Sequence, residues 1–160
     1  MATIYISVGS NEQRDEKIRA AYAAIQLAYG NIVVSSVYES ESVGFSGPAF
    51  YNLVIAAETE ESPQDVAARL KRIEDDNGRV RSGPKFSNRA LDLDLLLYDD
   101  VITDEGVQIP RHEITENAFV LWPMAELAPT LVHPITQNTY EDMWKNYRKN
   151  QSLKPVTFDW

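Results

Sequence analysis

Hydrophobic and polar positions alternate with period two in several short segments and recur at helical spacing in two longer ones. The alternating or β-rich segments predict strands at residues 3–8, 32–38 and 51–57 and within 89–98. One helix is predicted between the first two strands and another between the last two. This β-α-β-β-α-β order is typical of the ferredoxin-like arrangement, an α+β fold whose antiparallel sheet carries both helices on one face. We expect the other face to be open for ligands.

Capping residues predict where the two helices begin and end. Ser10 is expected to cap the first helix, with Gln13 completing a capping box, and Gly30 is expected to end it. The second helix is expected to begin at Ser62, followed by a proline, and to end at Gly78. Its predicted buried stripe comprises Val66, Leu70 and Ile73.

Beyond Tyr98 the pattern weakens and predicts short elements only. Residues 101–102 and 107–109 are expected to pair as a hairpin, 119–122 to form the end of a short helix, and 140–149 to form a last helix. The sequence contains no internal repeat or interdomain linker. We therefore expect a single domain over residues 1–160, with a C-terminal extension to the ferredoxin-like core.

Composition narrows the class of protein. The chain has 160 residues, no cysteine and a formal net charge of −9. The lack of cysteine fits a reducing compartment, and the acidic charge argues against a surface for nucleic acid or anionic lipid. The sequence predicts neither a signal peptide nor a membrane span. We expect a cytoplasmic protein that binds a small anionic ligand at its basic segment, residues 79–89.

Two carboxylates interrupt the apolar pattern of the last predicted strand. Because side chains alternate along a strand, Asp92 and Asp94 should share one face, while the odd-numbered leucines from 91 to 97 share the other. Such paired carboxylates can hold Mg²⁺ together with substrate phosphates, and Arg89 adds a guanidinium suited to phosphate. An ordinary edge strand with one solvated face has the same pattern. The choice between these interpretations depends on the rest of the chain.

Other motifs occur in a fixed order with this strand. They are Gly9-Ser10-Asn11, residues 38–44, Asn52, Glu74 with Gly78-Arg79-Val80-Arg81, and Phe119-Val120-Leu121-Trp122-Pro123. With the signature R-x-L-D-L-D, they resemble the 6-hydroxymethyl-7,8-dihydropterin pyrophosphokinase family of the folate pathway, from near Ile4 to about Pro134. The resemblance implies a monomer that uses ATP and two Mg²⁺ ions. It would transfer the terminal diphosphate of ATP to the pterin hydroxymethyl group and release AMP.

The resemblance also implies roles for individual residues. Asp92 and Asp94 would hold both metal ions and form the catalytic group with Arg79 and Arg89. The implied nucleotide site comprises Lys71, Glu74, Arg79, Arg81, Arg89, Leu95, Arg111 and His112. The implied pterin site comprises Ser40, Val43, Gly44, Phe50, Asn52, Phe86, Asp92 and Phe119. In that site Phe50 and Phe119 would stack on the two ring faces, and Asn52 would bind the ring edge.

The chain departs from the family pattern mainly near the nucleotide. Arg111-His112 follows Pro110 where relatives have Pro-His-Pro or Pro-His-Tyr, Asn117 replaces an arginine, Ser87-Asn88 replaces Gly-Pro, and Lys71 replaces Gln. One hypothesis is an active Mg²⁺-dependent diphosphokinase in which Arg111 takes over a phosphate contact. The alternative is a catalytically weak relative that binds pterin or nucleotide. A phosphohydrolase built on the two aspartates is disfavoured, because no obvious general base or further metal ligand accompanies them.

Overall fold

Six strands and five helices are found in residues 1–41, 49–78 and 91–160, which the computed structural model describes. In chain order they are β1 (Ala2–Ser10), α1 (Arg14–Tyr29), β2 (Val33–Val34), β3 (Val37–Ser40), β4 (Phe50–Thr59), α2 (Pro63–Asp76), β5 (Asp92–Tyr98), α3 (Glu113–Glu116), α4 (Ala118–Leu127), α5 (Tyr140–Lys145) and β6 (Leu153–Val156). None of the helices in these segments is long and apolar enough to span a membrane.

The strands form one antiparallel sheet in the order β5-β1-β4-β3-β6, and β2 also pairs with β4. The first four strands of this order confirm the predicted ferredoxin-like core, while β6 is an edge strand that the sequence pattern did not predict. The predicted strand 32–38 is divided into β2 and β3 at Ser35. Its hydroxyl accepts a hydrogen bond from the Val54 amide at 2.9 Å, so a side chain replaces a backbone acceptor at this point of the ladder.

Helices α1 and α2 cover one face of the sheet, as predicted, and the stripe of Val66, Leu70 and Ile73 is buried there. The predicted cap of α2 is confirmed, since Ser62 Oγ accepts from the Asp65 amide at 3.1 Å. The predicted capping box of α1 is wrong. Strand β1 continues through Ser10, and α1 begins only after Gln13, which has a φ of 50° and makes no side-chain cap. Gly30 ends α1 as expected.

The opposite face of the sheet is only partly open, which corrects the sequence expectation. Helices α4 and α5 pack on it and form a second core around Val54 and Leu97. The expected common orientation of the leucines in β5 is also wrong for Leu97. The pairing of β5 with β1 shifts register at Leu96, a β-bulge that turns Leu97 to the face opposite Leu93 and Leu95.

The region after Tyr98 differs from the prediction in its element boundaries. The expected hairpin is a single bridge between Thr103 and Ile109. Residues 119–122 begin α4 rather than end a helix, because buried packing carries α4 through Pro123 to Leu127. Helix α5 ends at Lys145, earlier than residue 149.

Candidate active site

The two aspartates lie on the partly covered face of the sheet. Asp92 stands opposite Gly9 of β1 and Asp94 opposite Ser7, so both side chains share one face, and both are half-buried. Burial and the neighbouring Asp92 carboxylate raise the pKa of Asp94 to about 7. The site therefore holds concentrated negative charge that a cation would relieve.

Arg111 supplies a positive charge at this position. Its Nη1 atom lies 3.7 Å from Asp94 Oδ1, and its Nη2 atom donates to Glu113 Oε2 at 2.7 Å. The Arg111 amide also donates to the carbonyl of Leu96 at 3.1 Å, which ties the residue to β5. The structure thus places Arg111 beside the aspartates, where the sequence analysis expects a phosphate contact.

A third carboxylate, on helix α2, forms a hydrogen bond with the backbone of β5. Glu74 of α2 is 4% exposed, and its Oε2 atom accepts a hydrogen bond from the Leu93 amide at 2.7 Å. Leu93 lies between the two aspartates in the sequence. Helix α2 thereby fixes the backbone that carries both aspartates. Charge on Glu74 also contributes to the raised pKa of Asp94.

The other described members of the predicted nucleotide site are more dispersed. Lys71 is exposed on α2, and His112 is exposed with its Nδ1 atom 2.9 Å from Gln108 Oε1. Leu95 is buried in the core beneath α1 and α2, so its side chain lies on the face opposite the aspartates. Only its backbone could contact a nucleotide bound beside Asp94.

The predicted pterin residues of β3 and β4 share the face of the aspartates. Asn52 stands opposite Gly9 on one side and Tyr38 on the other, and Phe50 stands opposite Ser40. Asn52 is 5% exposed, and its Nδ2 atom donates to Ser40 Oγ at 2.7 Å. A buried amide held by one hydroxyl is oriented to bind the edge of a flat heterocycle.

Gly9 lies between the two groups of residues. A Cβ atom at Gly9 would be 3.3 Å from Asn52 Oδ1 and 3.8 Å from Phe50 Cδ1, so the absence of a side chain lets Asn52 and Phe50 lie close to β1. Asp92, Gly9 and Asn52 form one row across β5, β1 and β4. With neighbouring strands about 4.8 Å apart, the Asp92 and Asn52 backbones are roughly 10 Å apart.

Phe119 lies in the first turn of α4, half-buried against the second core. It lines a cleft of about 270 Å³ together with Ser40 and residues 150–153. Phe50 is also half-buried. The two aromatic residues therefore come from separate elements at the same end of the sheet as Asn52.

Several predicted site residues lie outside the described residues. They are Val43, Gly44, Arg79, Arg81, Phe86 and Arg89, together with the departures Ser87 and Asn88. Their assignments stay predictions.

The donor chemistry of the site fits a hard divalent cation. Two carboxylates on one strand face, one with a raised pKa, match the oxygen ligands that Mg²⁺ takes beside substrate phosphates. Among the described residues, no group of three or more acidic, histidine or cysteine side chains forms a metal cluster. Phosphate oxygens and water would therefore have to complete the coordination.

The sequence analysis did not identify Gly9 as a spacer or Glu113 as the partner of Arg111. A glycine within a strand is a recognisable sign of close approach by a ligand or another backbone, so Gly9 could have been inferred. No pattern in the sequence indicates that Glu113 contacts Arg111. Its Oε1 atom is buried without a hydrogen bond, although His112 Nδ1 lies 3.2 Å away.

Comparison with known proteins shows the family to which this chain belongs. Residues 5–129 match the family model described as 7,8-dihydro-6-hydroxymethylpterin-pyrophosphokinase (HPPK). The chain is 40% identical to the 2-amino-4-hydroxy-6-hydroxymethyldihydropteridine pyrophosphokinase of Haemophilus influenzae, with 96% of this chain and 98% of that protein covered. It is 32% identical to the protein of the same name from Aquifex aeolicus, with 97% and 96% covered.

A solved structure confirms the fold. The Plasmodium falciparum HPPK-DHPS crystal structure superposes with a TM-score of 0.70 at 14% identity. The alignment covers 92% of this chain and 44% of that longer chain. At this identity the match supports the architecture alone.

Proposed function

Because this chain belongs to the 7,8-dihydro-6-hydroxymethylpterin-pyrophosphokinase family, we propose that its Asp92 and Asp94 form the metal-binding centre of the reaction. The protein is an ATP-dependent diphosphotransferase of folate synthesis. It transfers diphosphate from ATP to the hydroxymethyl group of 6-hydroxymethyl-7,8-dihydropterin. In this transfer the hydroxymethyl oxygen bonds to the β-phosphorus, and the bond from the β-phosphorus to the oxygen that bridges it to the α-phosphate breaks. AMP leaves with the bridging oxygen, and the hydroxyl proton passes to water.

The row of Asp92, Gly9 and Asn52 is the observation that carries the residue assignment. It includes a carboxylate suited to a cation and an amide suited to a pterin edge on one face, separated only by Gly9, which has no side chain. A reaction between a metal-held phosphate and a bound alcohol requires this proximity, because positioning accounts for much of phosphoryl-transfer catalysis.

We assign the pterin slot to Asn52, Ser40, Phe50 and Phe119. The Asn52 amide would bind the ring edge while Ser40 fixes its orientation, and the two phenylalanines would cover the ring faces. Val43, Gly44 and Phe86 complete this proposal from the family resemblance.

We assign the nucleotide side to Asp92, Asp94, Arg111 and the residues implied by the resemblance. Two Mg²⁺ ions bound by the aspartates would neutralise charge on the transferring phosphates. Arg111 would add a guanidinium contact to a phosphate oxygen, and Glu113 would orient it. Lys71, Glu74, Arg79, Arg81, Arg89, Leu95 and His112 remain in the proposed nucleotide site.

We also propose that the protein is a monomer located in the cytoplasm. The cysteine-free composition fits a reducing compartment. Size-exclusion chromatography with light scattering tests the monomer, for which a mass near 18.1 kDa is expected.

The direct test of the activity is incubation of the purified protein with 6-hydroxymethyl-7,8-dihydropterin, ATP and Mg²⁺. AMP and the pterin diphosphate should form in equal amounts, and chelation of Mg²⁺ should stop the reaction. Release of ADP or free phosphate, or turnover that is independent of the pterin, would contradict the proposal. For substitutions of Asp92 and Asp94, the Asp100→Asn variant is the matched control, because Asp100 is exposed just beyond the end of β5.

A further inference from the structure

The C-terminal segment, residues 147–156, contacts elements on both sides of the proposed pterin slot. Strand β6 pairs with β3, and Leu153 stands opposite Ser40, the residue that holds the Asn52 amide. Just before β6, residues 147–151 contact the end of α3 and the first residue of α4: Tyr147 donates to the Glu116 carbonyl at 2.7 Å, Lys149 pairs with the Glu116 carboxylate, and Gln151 accepts from the Ala118 amide. One segment thus joins the strand and the helix that carry slot residues.

Gln151 makes the central contact of this segment. Its Oε1 atom accepts from the Ala118 amide at 2.8 Å, and its Nε2 atom lies 3.4 Å from the Glu116 carbonyl. Ala118 is the first residue of α4, and Asn117 at the N-cap position makes no side-chain cap. A side chain 33 residues away therefore satisfies one of the first-turn amides of α4, which have no hydrogen-bond partner within the helix.

This contact lies directly beside Phe119. Gln151, Phe119 and Ser40 line the same cleft of about 270 Å³. The first turn of α4 carries Phe119, so the position of its ring depends on how firmly that turn is held.

We infer that Gln151 is a positioning residue for the pterin slot, acting through the Ala118 amide to fix Phe119 opposite Ser40 and Asn52. The inference rests on the proposed function, which places Phe119 on the pterin ring. Gln151 is itself exposed, so its replacement should leave the core intact.

Three variants test this role. Gln151→Ala removes the acceptor for the Ala118 amide. Gln151→Glu keeps an acceptor oxygen and adds negative charge at a helix N-terminus, where such charge is favourable. Asn150→Ala is the matched control, because Asn150 lines the same cleft without a hydrogen bond to Ala118 in the described structure. The dissociation constants for dihydropterin and for ATP are measured by calorimetry, with amide hydrogen exchange at Ala118 and Phe119.

Gln151→Ala should weaken dihydropterin binding about three- to tenfold, as expected for loss of one hydrogen bond, while ATP binding changes less than about twofold. Exchange at Ala118 should accelerate, and Gln151→Glu should resemble the wild type in both measurements. The inference is overturned if Gln151→Ala matches Asn150→Ala, if Gln151→Glu is equally impaired, or if both substrates are weakened alike.

Phe119→Ala separates failure of this inference from failure of the slot assignment. If Phe119→Ala weakens pterin binding and Gln151→Ala does not, the slot assignment stands and the positioning role is wrong. If Phe119→Ala leaves pterin binding unchanged, the slot assignment is wrong and the positioning role fails with it. Exchange at Ala118 would still report whether the Gln151 contact exists.

Discussion

Arg111 Nη1 lies 3.7 Å from Asp94 Oδ1, within a site whose carboxylates would otherwise repel one another. This contact places Arg111, which follows Pro110 where the family resemblance implies a histidine, beside the proposed metal centre. Glu113 holds the same guanidinium at 2.7 Å. The arrangement agrees with the hypothesis that Arg111 compensates for the arginine that the resemblance implies at position 117.

Arg111→Ala should raise the KM for ATP about tenfold, because a guanidinium–phosphate contact contributes roughly 1.5 to 3 kcal/mol. The pterin KM should change little. Steady-state kinetics at saturating pterin measures both effects, with Arg19→Ala as a control because Arg19 lies on α1 and bonds to the Asp159 carbonyl. An unchanged ATP KM, combined with improved ATP use by Asn117→Arg, would show that Arg111 does not compensate.

Asp92→Asn and Asp94→Asn should each reduce kcat about a hundredfold or more, since loss of one preorganised charge stabiliser costs on the order of 3 kcal/mol. Circular dichroism should show an intact fold in both variants. Near-normal turnover of either variant at saturating Mg²⁺ would remove that aspartate from the metal centre. Asp100→Asn should keep wild-type rates.

The sequence predicts much of the core because the evidence for it is local. Alternation identifies β1 and β4, and the Ser62-Pro63 start identifies α2, whose stripe is buried as expected. The orientation of Leu97 depends instead on a register shift between β5 and β1, which alternation within one strand cannot reveal. Local capping signals also failed at Ser10, because pairing with β4 extends β1 through that residue.

The site shows the same division between local and long-range information. Asp92, Asp94 and Asn52 could be selected from chemistry and motif order, whereas their alignment across Gly9 depends on strand pairing. The contact of Gln151 with Ala118 and the pairing of β6 with β3 join distant segments that share no sequence signal. These long-range contacts became evident only in the folded chain.

The raised pKa of Asp94 predicts a pH-dependent stability of the metal-free protein. Because its folded-state pKa of about 7 exceeds the ordinary value of 3.8, the folded state binds the proton more tightly than the unfolded state. This stabilisation is complete below about pH 4 and is lost as the pH rises towards 7, by roughly 4 kcal/mol. Denaturant unfolding in chelator should show this loss in the wild type and a reduced loss in Asp94→Asn. If the stability of the two proteins depends on pH in the same way, the pH dependence does not come from Asp94.

Gly9→Ala should weaken dihydropterin binding about fivefold or more, because the added Cβ would lie 3.3 Å from Asn52 Oδ1 and would push the amide out of its position. Alanine is favoured over glycine in a strand by about 0.5 kcal/mol, so thermal stability should not fall by much. Calorimetry with pterin and with ATP separates the two sites. Unchanged pterin affinity would show that binding does not depend on the position of the Asn52 amide beside Gly9.

Asn52→Ala should weaken dihydropterin binding by roughly 1 to 3 kcal/mol, because the polar edge of the ring would lose its partner, while ATP binding should barely change. Ser40→Ala should have a smaller effect in the same direction, since Ser40 Oγ only orients the Asn52 amide at 2.7 Å. Thr59→Ala is the matched control, because Thr59 is a buried polar residue at the far end of β4. Calorimetry and thermal melting of all three variants distinguish a ligand contact from a structural role. If Asn52→Ala lowers only the melting temperature, as Thr59→Ala is expected to do, then Asn52 is structural and the pterin slot lies elsewhere on this face.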